Sequence, residues 1–223
     1  MRVASERTVD EGRKLAADAL EAPARDIEYR AGRYTVAGTD LGIGLFELAQ
    51  RQSGGVILAD GSAKASAASW PNGCHICEVE IDPATGDVKV VAYASVNDIG
   101  RIVSPTIVRG QVEGGAVQGI GQALCERVVY DEQGQLISAS FMDYALPHVD
   151  VFRGFKTEFD TSVPCLNNAL GVKGVGELGT IGATPAVVNA VVDALASGGV
   201  GARVANLQMP LTSERVWRVL HGR

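Results

Sequence analysis

Two groups of closely spaced glycines, in residues 110–121 and 171–182, are the sequence feature that most constrains the fold of this chain. The chain has 27 glycines among 223 residues, which is well above average usage, and the excess is concentrated in these two segments. A glycine inside a helix costs about 1 kcal/mol relative to alanine. Several together therefore predict that another group approaches the backbone closely, either a ligand or a tightly packed neighbouring element.

Apolar periodicity and turn residues predict an α+β fold made of hairpin-helix units. In the first half, Thr8 and Glu11 form a capping-box pattern that predicts the start of a helix. Residues 26–29 and 33–36 predict a hairpin, and Asp40 is typical of the residue that caps a short helix, here to about residue 50.

A second hairpin-helix unit is predicted from residue 76 onwards. Residues 76–81 and 88–96 alternate around a turn, and Ser104 with Pro105 is typical of a helix start. That helix is expected to continue to about Cys125.

The rest of the chain gives weaker patterns. Residues 127–130 and 135–139 predict a further hairpin, while residues 142–170 lack a period and predict an irregular surface segment. Thr184 followed by Pro185 predicts the start of a last helix.

The small, polar residues 59–70 have no period and predict a loop between two parts of the chain. We therefore predict an N-terminal α+β segment over residues 1–58, a linker over 59–73 and a C-terminal domain over 74–223.

Charge and composition exclude several classes of function. The formal net charge of −6 argues against a nucleic-acid surface, which needs clustered Lys and Arg. We find no apolar stretch of the roughly 20 residues that a membrane-spanning helix requires and no secretory signal. Four cysteines are too few for a disulfide framework in a chain of this size, so a cytoplasmic location is expected.

Glu177 is the single acidic residue within the second glycine group. A carboxylate held in a glycine-walled cleft of low polarity is a natural general base, because desolvation moves its pKa towards neutrality. The residues alone leave two other interpretations open: a glutamate in a surface loop, and a loop whose amides bind phosphate.

In the first glycine group, Gln111, Gln118 and Gln122 share one helix face, where amides can donate and accept hydrogen bonds to a pterin or a phosphate. Tight packing with solvated glutamines is the alternative. Cys74, His75 and Cys77 do not predict a metal site, because residues three apart on a strand point to opposite faces. Asp98, after the long strand, is interpreted as a turn former, with a contribution to a site as the alternative.

Several ordered motifs in residues 74–217 resemble the large, molybdenum-binding subunit of the molybdenum hydroxylases, the family of xanthine dehydrogenase and aldehyde oxidoreductase. The motifs are residues 78–86 (EVEIDPATG), residues 110–126 (GQVEGGAVQGIGQALCE), Asp143-Tyr144 with Pro147, and residues 173–177 (KGVGE) followed by Pro185, Asn189 and Asp193. The resemblance implies hairpin-helix subdomains packed as in the molybdenum cofactor-binding domain.

The activity implied by this resemblance is hydroxylation of an aldehyde, a purine or an N-heterocycle with oxygen from water, at molybdenum bound to a pterin dithiolene. Glu177 would be the base that removes a proton from the hydroxyl group on molybdenum, and no protein residue would bind the metal directly. The implied cofactor contacts are Gln111, Lys173, Gly174, Val175 and Gly176.

The resemblance also implies partners and an incomplete chain. The partners are the N-terminal part of the molybdenum subunit, iron–sulfur and FAD subunits or domains, and a small-molecule substrate. Because the family's molybdenum subunit is much longer, we expect a fragment or split subunit that is inactive and without cofactor when alone. The complete enzyme is expected to use molybdopterin, in its cytosine dinucleotide form. The alternative is a non-catalytic pterin-binding or structural module of a multisubunit oxidoreductase.

Overall fold

Five α-helices and six strands, in two separate sheets, make up the regular structure in a computed structural model that describes residues 1–149 and 154–222. The chain divides into two units. The first contains Met1–Ala67 and Leu166–Leu170, and the second contains Ala68–Cys165 and Gly171–Arg223. The first division falls inside the predicted linker, and the grouping of residues 166–170 with the first unit is not apparent from the sequence. The predicted boundaries at 58 and 73 stay predictions.

The first unit packs a helix against a three-stranded antiparallel sheet in the order β1-β2-β3. Its core is built around Tyr34 and Leu48, which are fully buried. The elements are α1 (Arg2–Ala19), β1 (Ile27–Arg30), β2 (Arg33–Val36), β3 (Gly42–Gly44) and α2 (Leu45–Gln50).

Two helix starts in this unit differ from the sequence prediction. Helix α1 begins at Arg2, so Thr8 lies inside it and its hydroxyl donates to the Ala4 carbonyl at 2.9 Å instead of capping the helix. Helix α2 begins after Gly44 rather than at Asp40, because residues 42–44 pair with β2 as a third strand. The hairpin of β1 and β2 is confirmed.

The second unit packs helices against one face of a sheet with the order β4-β5-β6. Strands β4 and β5 are antiparallel, as predicted, and β6 runs parallel to β5. Buried Val90 and Tyr93 of the sheet share one apolar core with Ile120 and Val187 of the helices. The elements are β4 (Asn72–Ile81), β5 (Val88–Asp98), α3 (Pro105–Leu124), β6 (Lys156–Asp160), α4 (Leu178–Leu195) and α5 (Ser213–His221).

The structure corrects two predictions in the middle of the chain. The hairpin expected at 127–139 is shorter than predicted: the chain turns back at residues 131–135, but its two arms are joined only by an isolated antiparallel bridge between Tyr130 and Leu136 and the hydrogen bonds beside it. The segment 142–170 is not wholly irregular, because Lys156–Asp160 forms β6. Within that segment, residues 150–153 lie outside the described residues.

Helix α4 begins at Leu178, six residues before the predicted Thr184, and Pro185 lies inside it. By length and composition the helical run Leu178–Asn206 would suffice to cross a membrane, with a mean hydropathy of 1.4. The prediction that the chain has no apolar stretch of this length was therefore wrong. Part of its apolar character has a local explanation, because one side of α4 belongs to the core of this unit, although only 33% of the apolar window is buried. The buried residues of the helix include Ala183, Val187, Val191 and Leu195.

Candidate functional site

The two glycine groups meet where helices α3 and α4 pack together. A β-carbon added to Gly119 would stand 2.8 Å from the β-carbon of Ala183, and one added to Gly179 would stand 2.6 Å from the backbone nitrogen of Ala116. Real β-carbons do not approach other atoms this closely, so these glycines allow the two backbones to touch. Tight packing, the alternative left open by the sequence, therefore explains part of both groups.

Two threonines of α4 strengthen this contact. The Thr180 hydroxyl donates to the Gly115 carbonyl of α3 at 3.0 Å. The Thr184 hydroxyl lies 3.3 Å from the Gly119 carbonyl and 3.1 Å from the Gln122 side-chain oxygen. The start of α4 is therefore fixed along the middle of α3.

Four other glycines have no such explanation. Gly110 and Gly114 are exposed on α3, and Gly174 and Gly176 are exposed in the loop before α4. None has a positive φ, and no other part of the described chain comes within 4 Å of the position of an added β-carbon. Neither internal packing nor backbone conformation requires glycine at these positions. Glycine would be needed at these four positions if a group outside the described chain came close to the backbone there.

Glu177 is the residue that immediately precedes α4. Its side chain is exposed, and it makes no capping hydrogen bond within the described part of the chain. The low-polarity cleft that the sequence predicted around Glu177 is therefore not formed by the residues described. What the structure provides is a carboxylate with no capping role at a helix N-terminus, where the helix dipole favours negative charge.

Gln111 and Glu177 are each adjacent in sequence to a buried residue of one small apolar cluster. Val112 and Leu178 are members of this cluster, together with Ile99, and Val175 packs against it. The cluster therefore brings the chain segments carrying the predicted amide and the predicted base to one region. Gln111, Gln118 and Gln122 are all exposed, but the side-chain oxygen of Gln118 lies 3.3 Å from the Thr180 hydroxyl, so two of the three glutamines contact α4 threonines.

Lys173 pairs with Asp98, and this contact was not predicted. The ammonium lies 2.5 Å from one carboxylate oxygen, and the two side chains are only 9% and 18% exposed. The other carboxylate oxygen accepts from the Gly100 N–H at 3.0 Å, so Asp98 is a turn former, as predicted, and also an ion-pair partner. Hydrogen bonding from Lys173, followed by that from Gly100, lowers the pKa of Asp98. No local sequence pattern could have paired residues 75 positions apart.

His75 lies on the face of β4 that meets α4, opposite to exposed Cys74. Burial lowers the pKa of His75, although its hydrogen bond to Asn97 opposes this shift. In the neutral ring, Nδ1 accepts from the Tyr93 hydroxyl at 2.6 Å and Nε2 donates to the side-chain Oδ1 of Asn97 at 3.1 Å. Within residues 1–149 and 154–222, no group of three or more His, Cys, Asp or Glu side chains could hold a metal ion.

Comparisons with known proteins place the chain among molybdenum enzymes. Residues 1–152 match the family model described as the molybdopterin cofactor-binding domain. The chain is 36% identical over 233 residues to the 6-hydroxypseudooxynicotine dehydrogenase complex subunit gamma of Paenarthrobacter nicotinovorans, covering 99% of this chain and 28% of that protein. It is 46% identical over 153 residues to the nicotine 6-hydroxylase large subunit of the same organism, covering 69% of this chain and 18% of that protein.

A solved structure gives the same result. The Cu,Mo-CO dehydrogenase in its carbon monoxide reduced state superposes with a TM-score of 0.87 and 29% identity, over 99% of this chain and 28% of that chain. The α+β fold, packed as in molybdenum cofactor-binding domains, is thereby confirmed. The chain spans less than a third of the length of each of these relatives.

Proposed function

Because this chain belongs to the family of molybdopterin cofactor-binding domains, as part of the large subunit of a molybdenum hydroxylase, we propose that Glu177 is its general base. The observation that carries the proposal is the position of Glu177. Its exposed side chain has no capping role, and it lies between the start of α4 and two glycines, Gly174 and Gly176, that have open space at the position of a β-carbon.

Four glycines with open space at the position of a β-carbon fit a molybdopterin cofactor that lies against α3 and the loop before α4. A β-carbon at Gly110, Gly114, Gly174 or Gly176 would project into space that no other part of the described chain fills. The exposed amide of Gln111, between two of these glycines, can donate to and accept from the polar edge of a pterin. Lys173 would contribute through its backbone, because its ammonium is paired with Asp98.

When bound, the molybdenum cofactor supplies the two-electron oxidation and activates the water that gives the oxygen atom. In the overall change, a C–H bond of the substrate and one water become a C–OH group, two protons and two electrons. Glu177 accepts one of these protons. A positioned base of this kind contributes about 10²–10⁴-fold to the rate.

We assign an N-heterocycle of the pyridine type as the substrate class, ahead of aldehydes and purines. Two relatives that support this assignment are named for nicotine or a nicotine derivative, and nicotine contains a pyridine ring. Ring carbons next to the nitrogen are electron-poor, which suits attack by oxygen activated from water.

The complete protein would require further parts. Relatives are subunits of multisubunit complexes, and we propose that the N-terminal part of the subunit completes the cofactor site while iron–sulfur and FAD subunits remove the electrons. We propose the cytosine dinucleotide form of the cofactor, a cytoplasmic location, and no turnover or bound cofactor for this chain alone. Release of cytidine monophosphate on acid hydrolysis of the complete enzyme would test the nucleotide.

The base is tested by Glu177→Gln in the complete enzyme, with turnover of a pyridine substrate and molybdenum content measured together. We expect turnover to fall by about 10²-fold or more at unchanged molybdenum content. The control is Glu214→Gln, which removes a carboxylate from an exposed ion pair on α5 and should leave turnover unchanged. Normal turnover in Glu177→Gln would instead support a non-catalytic cofactor-binding module.

A further inference from the structure

We propose that Asp98 is a positioning residue for Glu177, because it holds Lys173 and thereby fixes the loop before α4 to the end of strand β5. This inference rests on the proposed role of Glu177.

The Asp98–Lys173 pair differs from the other ion pairs described in the second unit. Arg109–Glu113 and Arg218–Glu214 link neighbouring turns of one helix, and their side chains are 30–69% exposed. Such pairs contribute little to stability. Asp98 and Lys173 are largely buried and join two distant chain segments, so removing either partner leaves a poorly solvated charge without its counter-ion.

Backbone contacts place the same loop against the same strand end. The Lys173 N–H donates to the Ile99 carbonyl at 2.9 Å, and the Arg101 N–H donates to the Gly171 carbonyl at 2.9 Å. Gly100 and Gly171 both have positive φ, and a β-carbon on Gly100 would collide with the Gly171 carbonyl oxygen. Because Asp98 also accepts from the Gly100 N–H, one carboxylate stabilises both the turn and the loop that crosses it.

The loop between Lys173 and α4 consists of one residue that packs against an apolar cluster, two glycines and Glu177. Val175 packs against the cluster containing Ile99 and Leu178, whereas Gly174 and Gly176 have no neighbour in the described chain at the position of a β-carbon. Flanking glycines add backbone freedom. The position of Glu177 therefore depends on the anchor at Lys173 on one side and on helix α4 on the other.

Two further groups lie beside Asp98 in the sheet. Asn72 of β4 and Asp160 of β6 are its register partners, and Asn72 also donates a hydrogen bond to Asp98. Asp160 carries the other nearby charge, and its pKa is lowered chiefly by hydrogen bonds from Ser162. Asp160 is exposed and engaged with Ser162, so it does not replace Asp98 as the counter-ion of Lys173.

The test compares Asp98→Asn with Glu214→Gln in the complete enzyme. Asparagine can still accept from the Gly100 N–H but carries no charge for Lys173. Hydrogen exchange in residues 171–177 should become about tenfold faster in Asp98→Asn, because a hydrogen bond to a charged group is lost. Exchange in helix α5, residues 213–221, should not change. Misplacement of the base should lower kcat by up to about 10²-fold, with KM and molybdenum content unchanged.

Each outcome decides one point. Wild-type exchange in the loop of Asp98→Asn, or faster exchange with wild-type kcat, overturns the positioning role. Faster exchange and lower kcat in Glu214→Gln as well would show a general effect of charge loss and also overturn it. Faster loop exchange in Asp98→Asn combined with normal turnover in Glu177→Gln overturns the proposed base while leaving Asp98 as the anchor of the loop.

Discussion

The Cα atom of Gly179 lies so close to α3 that a β-carbon added to Gly115 would stand 3.2 Å from it. The two helices meet through their backbones, without an intervening layer of side chains. The position of α4, and of the residue that precedes it, is therefore set by main-chain contact.

Gly179→Ala should destabilise the second unit. The new methyl group would meet the backbone nitrogen of Ala116 at 2.6 Å, and a backbone atom cannot rotate away as a flexible side chain can. Overpacking of this kind costs about 1–3 kcal/mol, which a urea denaturation curve would show as a lower midpoint. A wild-type midpoint would contradict backbone contact at this crossing.

Gly114→Ala should have opposite effects on stability and on cofactor binding. Gly114 is on an exposed face of α3 with no neighbour at the position of a β-carbon, so alanine should raise the free energy of unfolding by about 0.5–1 kcal/mol. The same methyl group would obstruct a cofactor lying against α3. Molybdenum content of the complete enzyme, measured by elemental analysis, should therefore fall.

The matched control for that variant is Gly198→Ala. Gly198 likewise has no neighbour at the position of a β-carbon and no positive φ, but it lies beyond the far end of α4, about 30 Å of helix from Glu177 at 1.5 Å per residue. Molybdenum content should be unchanged. Equal molybdenum in Gly114→Ala and the wild type would argue against the proposed cofactor surface.

His75 should make the stability of the second unit sensitive to mild acid. Because burial lowers its pKa in the folded state, the unfolded chain takes up a proton more readily once the pH falls below about 6.5. The stability that depends on neutral His75 is fully present above that pH and is lost as the pH falls through the lowered pKa of His75. The urea midpoint of the wild type should be lower at pH 5.5 than at pH 7.5. This decrease should be smaller in His75→Gln. An equal difference in both proteins would assign the pH dependence to other groups.

Elements with strong local signals were predicted well. Alternating residues identified the β4–β5 hairpin, and Ser104 with Pro105 identified the start of α3. Strand β6 was missed because Lys156–Asp160 is short and mostly polar, and it becomes a strand by pairing with β5. The start of α4 was placed too late because Pro185 is a strong local signal, whereas Leu178 and Gly179 are fixed by their contacts with α3.

The candidate site could also be predicted only where its residues stand in a distinctive local sequence. Glu177 and Gln111 could be selected from their glycine-rich surroundings and from a family resemblance, and their roles stay predictions. Asp98 was interpreted mainly as a turn former, because its hydrogen bond to Gly100 follows from local sequence. Its contact with a second partner, Lys173, depends on the tertiary fold and cannot be predicted from the local sequence around either residue. The exposure of Glu177 agrees with the surface-loop alternative that the residues left open and not with the predicted cleft of low polarity, since burial depends on whatever else surrounds the residue.

The placement of Glu177 between the Lys173 anchor and helix α4 has a consequence for how such an enzyme can change during evolution. A segment restrained at both ends cannot adjust its shape to each new compound. If other parts of the subunit complete the site, as we propose, acquisition of a new substrate should therefore proceed by altering those parts. The segment that carries Glu177 would then change little during evolution, while the residues that contact the substrate change around it.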